Sequence, residues 1–163
     1  GERGALWMRG SYVIDGYWND PEKTTQSFDT QGWFNTGDMG SLDDAGYLYF
    51  HGRLKDTLKV GGENVAAVEV EAYLSTHPSI QIAAVVGIPD EVYGEVPVAF
   101  VEFRSGKAAD DEELIAFCRK GLAGFKVPRL IREVSEWPMS ATKIRKDELR
   151  TRLLAELSAT PTN

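Results

Sequence analysis

Ile80-Gln81-Ile82-Ala83-Ala84-Val85-Val86-Gly87 and Val96-Pro97-Val98-Ala99-Phe100-Val101-Glu102-Phe103 are two nearly continuous apolar, β-branched runs. Such runs read as strands buried on both faces. Helical periods flank them. Ala66 to Thr76 places Val70, Tyr73 and Leu74 on one face, and His77-Pro78 ends it. Asp110-Asp111-Glu112-Glu113 has a capping-box pattern, with acidic side chains at the positive end of the helix it opens. Leu114, Ile115, Cys118 and Leu122 form the stripe of that helix, which Gly121 and Gly124 weaken toward its end. Leu130 to Val134 reads as a further strand and Asp147 to Ser158 as a short amphipathic helix. The tail from Ala159 to Asn163 is polar and expected to fray. Together these elements predict an α/β (α+β) domain, a central sheet flanked by helices.

Upstream, glycines punctuate shorter apolar runs. Leu6-Trp7-Met8 and Tyr12-Val13-Ile14 read as strands. Leu42 to Phe50 reads as a hairpin turning at Asp43-Asp44-Ala45-Gly46. Asn19-Asp20-Pro21-Glu22 reads as a helix start, with Asp20 capping and Pro21 in the first turn. Trp7, Trp18 and Trp33 fall in this part. The boundary is expected near Gly52-Arg53-Leu54-Lys55-Asp56, giving a β-rich piece over 1–52 and an αβ domain over 53–163. About 110 residues suffice for a small autonomous domain. The first piece has few strands, and its sheet edges need cover. It is expected to be the end of a larger domain.

Composition narrows the function classes. The chain has 163 residues, 42% hydrophobic and 26% charged, as in a globular protein. A net charge of −7 opposes electrostatically driven nucleic-acid binding. No apolar run approaches the roughly 20 residues of a bilayer span, and no signal peptide is seen, so a cytoplasmic protein is expected. Cys118 is the single cysteine, and His51 and His77 are the only histidines. No disulfide framework, thiolate-rich zinc site or other metal site is expected.

Several short motifs could carry chemistry. Thr36-Gly37-Asp38 puts a carboxylate beside a glycine, where it could accept both hydroxyls of a ribose; taken alone it is also an ordinary turn. Gly52-Arg53-Leu54-Lys55-Asp56 could meet phosphate and ribose or be a solvated linker. Lys59-Val60-Gly61-Gly62-Glu63-Asn64 would let a ligand approach the backbone closely, or simply end a strand. It matches neither common phosphate-loop pattern. Pro138-Met139-Ser140-Ala141-Thr142-Lys143-Ile144-Arg145-Lys146 suits a mobile loop delivering an ammonium to an anion, or a charged surface turn. No Ser/His/Asp or Cys/His nucleophile arrangement stands out.

The order of the pieces says more than any one of them. The series begins with Gly4-Ala5-Leu6-Trp7-Met8-Arg9-Gly10 and Gly16-Tyr17-Trp18, and runs through Gly32-Trp33-Phe34-Asn35-Thr36-Gly37-Asp38. It continues with Gly52 to Asp56, Lys59 to Val65, His77-Pro78 and Val86-Gly87-Ile88-Pro89-Asp90. Gly94-Glu95, Lys126-Val127-Pro128 and the Lys143 segment close it. In this order the chain resembles the C-terminal third of the adenylate-forming (AMP-binding) superfamily. That superfamily contains acyl- and aryl-CoA synthetases, peptide-synthetase adenylation domains and firefly luciferase. Two departures stand out. Ser140-Ala141-Thr142-Lys143 lacks the glycine that usually precedes the lysine, and Gly4-Ala5 replaces a common Gly-Glu.

The resemblance implies a fatty or aromatic acyl-CoA ligase, forming an acyl-adenylate and then a thioester. It assigns Asp38 to the ribose hydroxyls and Arg53, Lys59 and Asn64 to the nucleotide. Lys55 becomes the hinge of a mobile small domain. Gly61 and Gly62 border the pantetheine tunnel, and Lys143 is the adenylation lysine. ATP/AMP and coenzyme A are the implied ligands. Mg2+ ligands, the phosphate loop and the acyl pocket are expected in the missing N-terminal domain, the implied partner. Two rivals remain: part of a peptide-synthetase adenylation domain, and a non-catalytic module that binds nucleotide or CoA or docks a partner.

Overall fold

A computed structural model describes residues 1–159. The chain divides into two compact units, Gly1–Lys55 and Asp56–Asn163, within the Gly52–Asp56 stretch that the sequence marks.

The first unit is a three-stranded antiparallel sheet in the order β1 (Gly4–Met8), β2 (Phe34–Leu42), β3 (Leu48–Arg53). β2 and β3 form the expected hairpin. The Asp43 carboxylate accepts the amides of Ala45 and Tyr47, and Gly46 takes φ 84°. The Tyr47 amide, then the Tyr49 hydroxyl and the Ala45 and Gly46 amides, hold the Asp43 carboxyl below its ordinary range. Helix α1 (Pro21–Ser27) starts where the sequence places it, with Asp20 accepting the Lys23 amide at 2.9 Å. Tyr12-Val13-Ile14 is not a strand. The chain turns there, with the Val13 amide bonded to the Gly10 carbonyl, and no neighbouring strand pairs with it. Three apolar residues in extended sequence have little to gain without a ladder partner.

The second unit is a mixed α/β domain. Its sheet runs β5 (Glu63–Ala66), β4 (Thr57–Val60), β7 (Gly94–Phe103), β6 (Ile80–Asp90), with β8 (Leu130–Glu133) parallel to β7. β6 and β7, the two apolar runs, pair antiparallel along their whole length. Val96 to Val101 are all buried, as a central strand with two covered faces requires. Helices α2 (Ala67–Leu74) and α3 (Asp111–Gly121) cover one face, where Val70, Leu74, Leu114 and Cys118 meet Val85, Ala99 and Val101. Helix α4 (Lys146–Ala159) covers the other, setting Leu149 and Leu153 against Ala84, Val86, Val98 and Phe100. The polar tail beyond Ala159 lies outside the described residues.

At the start of α3 the Asp110 side chain accepts the Glu113 amide at 2.7 Å. Glu113 does not close the reciprocal half of the capping box; its carboxylate lies 3.5 Å from Nε2 of buried His77.

Candidate functional site

Thr36-Gly37-Asp38 lies inside β2, not beyond a strand end. Trp7 pairs with Asn35 and Ala5 with Met39, so these three residues stand opposite Leu6 alone, as a bulge. Gly37 takes φ 73°, which a side chain would resist. The bulge is held from within. Asn35 Oδ1 accepts the Gly37 amide at 2.9 Å, while the Thr36 hydroxyl accepts the Asp38 amide and donates to the Leu6 carbonyl. Bulges re-aim side chains, and this one brings Asp38 opposite Arg53 on β3. Arg53 Nε lies 3.1 Å from Asp38 Oδ1, a charge contact that lacks hydrogen-bond alignment. Oδ1 is itself buried and receives no hydrogen bond among the described residues. A quarter of the Asp38 side chain remains exposed beside that guanidinium, so the carboxylate can still meet a ligand.

A second bulge in the same hairpin makes His51 the extra residue of β3, and its Nε2 lies 2.8 Å from the Ser41 hydroxyl. Sequence spacing concealed this pair. No carboxylate orients the imidazole among the described residues, so the contact is a cross-strand hydrogen bond and not a nucleophile-base arrangement.

Lys55 is exposed and is the last residue of the first unit. Lys59 and Asn64 are register partners on β4 and β5, both exposed. The Lys59 amide donates to Glu95 Oε2 at 2.9 Å, which fixes its strand and leaves its side chain outside. Gly61 and Gly62 make the two-residue turn between these strands, at φ 58° and 89°. Two consecutive positive φ values define the hairpin turn that favours glycine. The Gly61 amide is tied to the Tyr93 carbonyl at 2.7 Å, and the exposed turn presents backbone rather than side chain.

The Lys143 segment is a small hairpin. Met139 bridges to Ile144, the Ser140 amide donates to the Lys143 carbonyl at 2.8 Å, and the Arg145 amide to the Pro138 carbonyl at 2.7 Å. The Lys143 side chain is exposed, with no ion pair among the described residues. Lys146 is already engaged, its Nζ lying 2.5 Å from Glu71 Oε1. Of the two lysines, Lys143 is therefore the one available to an external anion.

The remaining reactive groups are inert. Burial pushes the Cys118 thiol up to about 11, far from thiolate chemistry. Among the described residues no group of three or more His, Cys, Asp or Glu could hold a metal ion. No helix among them is long and apolar enough to cross a membrane.

Comparison with known proteins identifies the family of the chain. Residues 69–143 match the family model of the AMP-binding enzyme C-terminal domain. The chain is 45% identical over 150 residues to 2-succinylbenzoate–CoA ligase of Geobacillus kaustophilus, covering 91% of this chain and 30% of that protein. O-succinylbenzoate coenzyme A synthetase from Bacillus subtilis, solved with AMP, superposes with a TM-score of 0.82 at 34% identity. That match covers 93% of this chain and 30% of the other. ATP-bound MatB from Rhodopseudomonas palustris gives a TM-score of 0.84 at 34% identity, again over 93% and 30%. The chain thus spans under a third of the length of these relatives.

Proposed function

Because the chain belongs to the adenylate-forming superfamily as a C-terminal portion, we propose that it serves an ATP-dependent acyl- or aryl-CoA ligase. In the first half-reaction a carboxylate oxygen attacks the α-phosphorus of ATP, pyrophosphate leaves, and an acyl-adenylate forms. In the second the thiol of coenzyme A attacks the acyl carbon, AMP leaves, and the thioester forms. The phosphate loop, the acyl pocket and the Mg2+ ligands belong to an upstream domain of the same polypeptide. A cytoplasmic location goes with this reading.

The observation that carries it is the Asp38 carboxylate, held on the bulge beside Arg53 and one quarter exposed. A ribose presents two adjacent hydroxyl donors, the complement of such a carboxylate. Arg53 adds positive charge beside it, toward the ribose or phosphate side. Lys59 and Asn64, exposed across one hairpin, are the further polar contacts for the nucleotide. Lys55, at the division between the units, is the hinge. The Gly61-Gly62 turn borders the pantetheine path, where missing side chains leave room for a narrow thiol arm. The Lys143 ammonium meets charge that develops on the α-phosphate during adenylation.

The two half-reactions, measured separately in the full-length enzyme, test the reading. Asp38→Ala should weaken nucleotide binding on the order of tenfold or more, because hydrogen bonds to a charged group are worth roughly 1.5–3 kcal/mol each. Lys143→Ala should slow adenylation by about 10²–10³ while still converting supplied acyl-adenylate and CoA to thioester. Unchanged nucleotide affinity in a folded Asp38→Ala enzyme would reduce the bulge to a structural feature.

A further inference from the structure

β6 is the open edge of its sheet, since it pairs only with β7 among the described strands. Two charged side chains from opposite layers cover that edge. From α2, Glu71 Oε1 accepts the Val85 amide of β6 at 2.7 Å. From α4, Arg150 Nε donates to the Gly87 carbonyl of the same strand at 2.8 Å. Lys146, the first residue of α4, joins the two layers by placing its Nζ 2.5 Å from that same Glu71 oxygen. Both partners are largely enclosed, the side chains being 17% and 26% exposed. An ion pair so enclosed is costly to break one partner at a time, because the survivor is left charged and poorly solvated.

We propose that Glu71 is a positioning residue for Lys143, acting through Lys146 as a clasp around the edge of β6. The Lys143 hairpin leads directly into α4; within Pro138–Arg145 it has one bridge and three hydrogen bonds, and beyond these Ile144 packs against the α4 core and Arg145 pairs with Glu148. The clasp fixes the point where that hairpin leaves the domain. Exposed Lys143, three residues earlier in the chain, is thereby presented from a held base. Such support from packed side chains keeps a functional group within reach of its productive geometry. The proposal deepens the assignment of Lys143 to adenylation and rests on it.

Glu71→Gln is the informative substitution, because the amide oxygen can still accept from Val85 while the charge facing Lys146 is gone. In the 163-residue chain, hydrogen exchange at the Ser140 and Arg145 amides should accelerate by about tenfold, with the amides of Leu114 and Cys118 unchanged. Unaltered exchange at Ser140 and Arg145 would overturn the clasp.

In the full-length enzyme, Glu71→Gln and Lys146→Met should each lower the adenylation kcat by about tenfold, with KM for ATP unchanged. Combined, they should be no worse than either alone, as expected of a single interaction. Lys146→Arg should restore the rate to within about threefold, since an arginine can keep the ion pair. Thioester formation from supplied acyl-adenylate should keep its rate. Equal loss of both half-reactions, or loosened exchange with unaltered adenylation, would overturn the positioning role. A Lys143→Ala enzyme that still adenylates would sink the assignment of Lys143 itself, whatever the exchange experiment gives.

Discussion

The two units use similar residue types to opposite ends. In Asp56–Asn163 the apolar side chains point at one another, and every buried hydrophobic side chain of the described residues, from Leu58 to Leu153, lies there. In Gly1–Lys55 they point outward: Leu48, Tyr49 and Phe50 are consecutive on β3 and all more than half exposed. Consecutive strand residues face opposite sides, so neither face of this sheet is covered along β3. The first unit owes its shape to backbone ladders and side-chain-to-backbone ties such as Thr36 to Leu6. The second owes its shape to burial. A ladder fixes geometry, but burial supplies most of the free energy, and a small sheet without a covered face is marginal in water.

Separating the units would break this comparison most sharply. A chain of residues 56–159 should unfold cooperatively on heating, as followed by circular dichroism, whereas residues 1–55 alone should show no cooperative transition. A sharp transition in the isolated first unit would mean that its ladders suffice.

Point substitutions sharpen it further. Leu74→Ala, at a fully buried position, should cost about 2–5 kcal/mol in urea unfolding of the second unit, as lost transfer energy and a cavity combine. Tyr49→Ser, at an exposed position of β3, should move stability by no more than about 1 kcal/mol, the scale of cross-strand pairing. If both cost the same, the exposed sheet has a hidden partner.

Backbone strain alone is tested at the turn between β4 and β5. A Cβ at Gly62 meets nothing within 4 Å, so the first carbon of a side chain is not crowded there. A leucine must nevertheless adopt φ 89°, at a cost of about 1–2 kcal/mol. Gly62→Leu should therefore lower the urea midpoint and Gly62→Asn lower it less, because asparagine visits the left-handed region more readily. Equal losses would point to crowding instead of backbone strain.

What the sequence determined by itself is what short-range chemistry dictates. The Asp20 and Asp110 caps, the Asp43–Gly46 turn and the apolar stripes are each written within a few residues, and each appears in the structure. The ordered series of motifs also identified the family, because so many pieces in one succession rarely coincide by chance. Where the needed partner is distant, sequence reasoning stopped. Tyr12-Val13-Ile14 has strand composition but no strand to pair with. The Asp38 bulge depends on Leu6, thirty residues from the threonine that ties it. His51 meets Ser41 only because β3 carries an extra residue. Glu71 meets Lys146 only because two helices on opposite faces reach the same sheet edge. Local hydrogen bonds and periodicity are encoded where they act. Register, bulges and contacts across a sheet exist only after distant segments have been brought together, so tertiary structure alone decided which charged groups were tied and which stayed exposed.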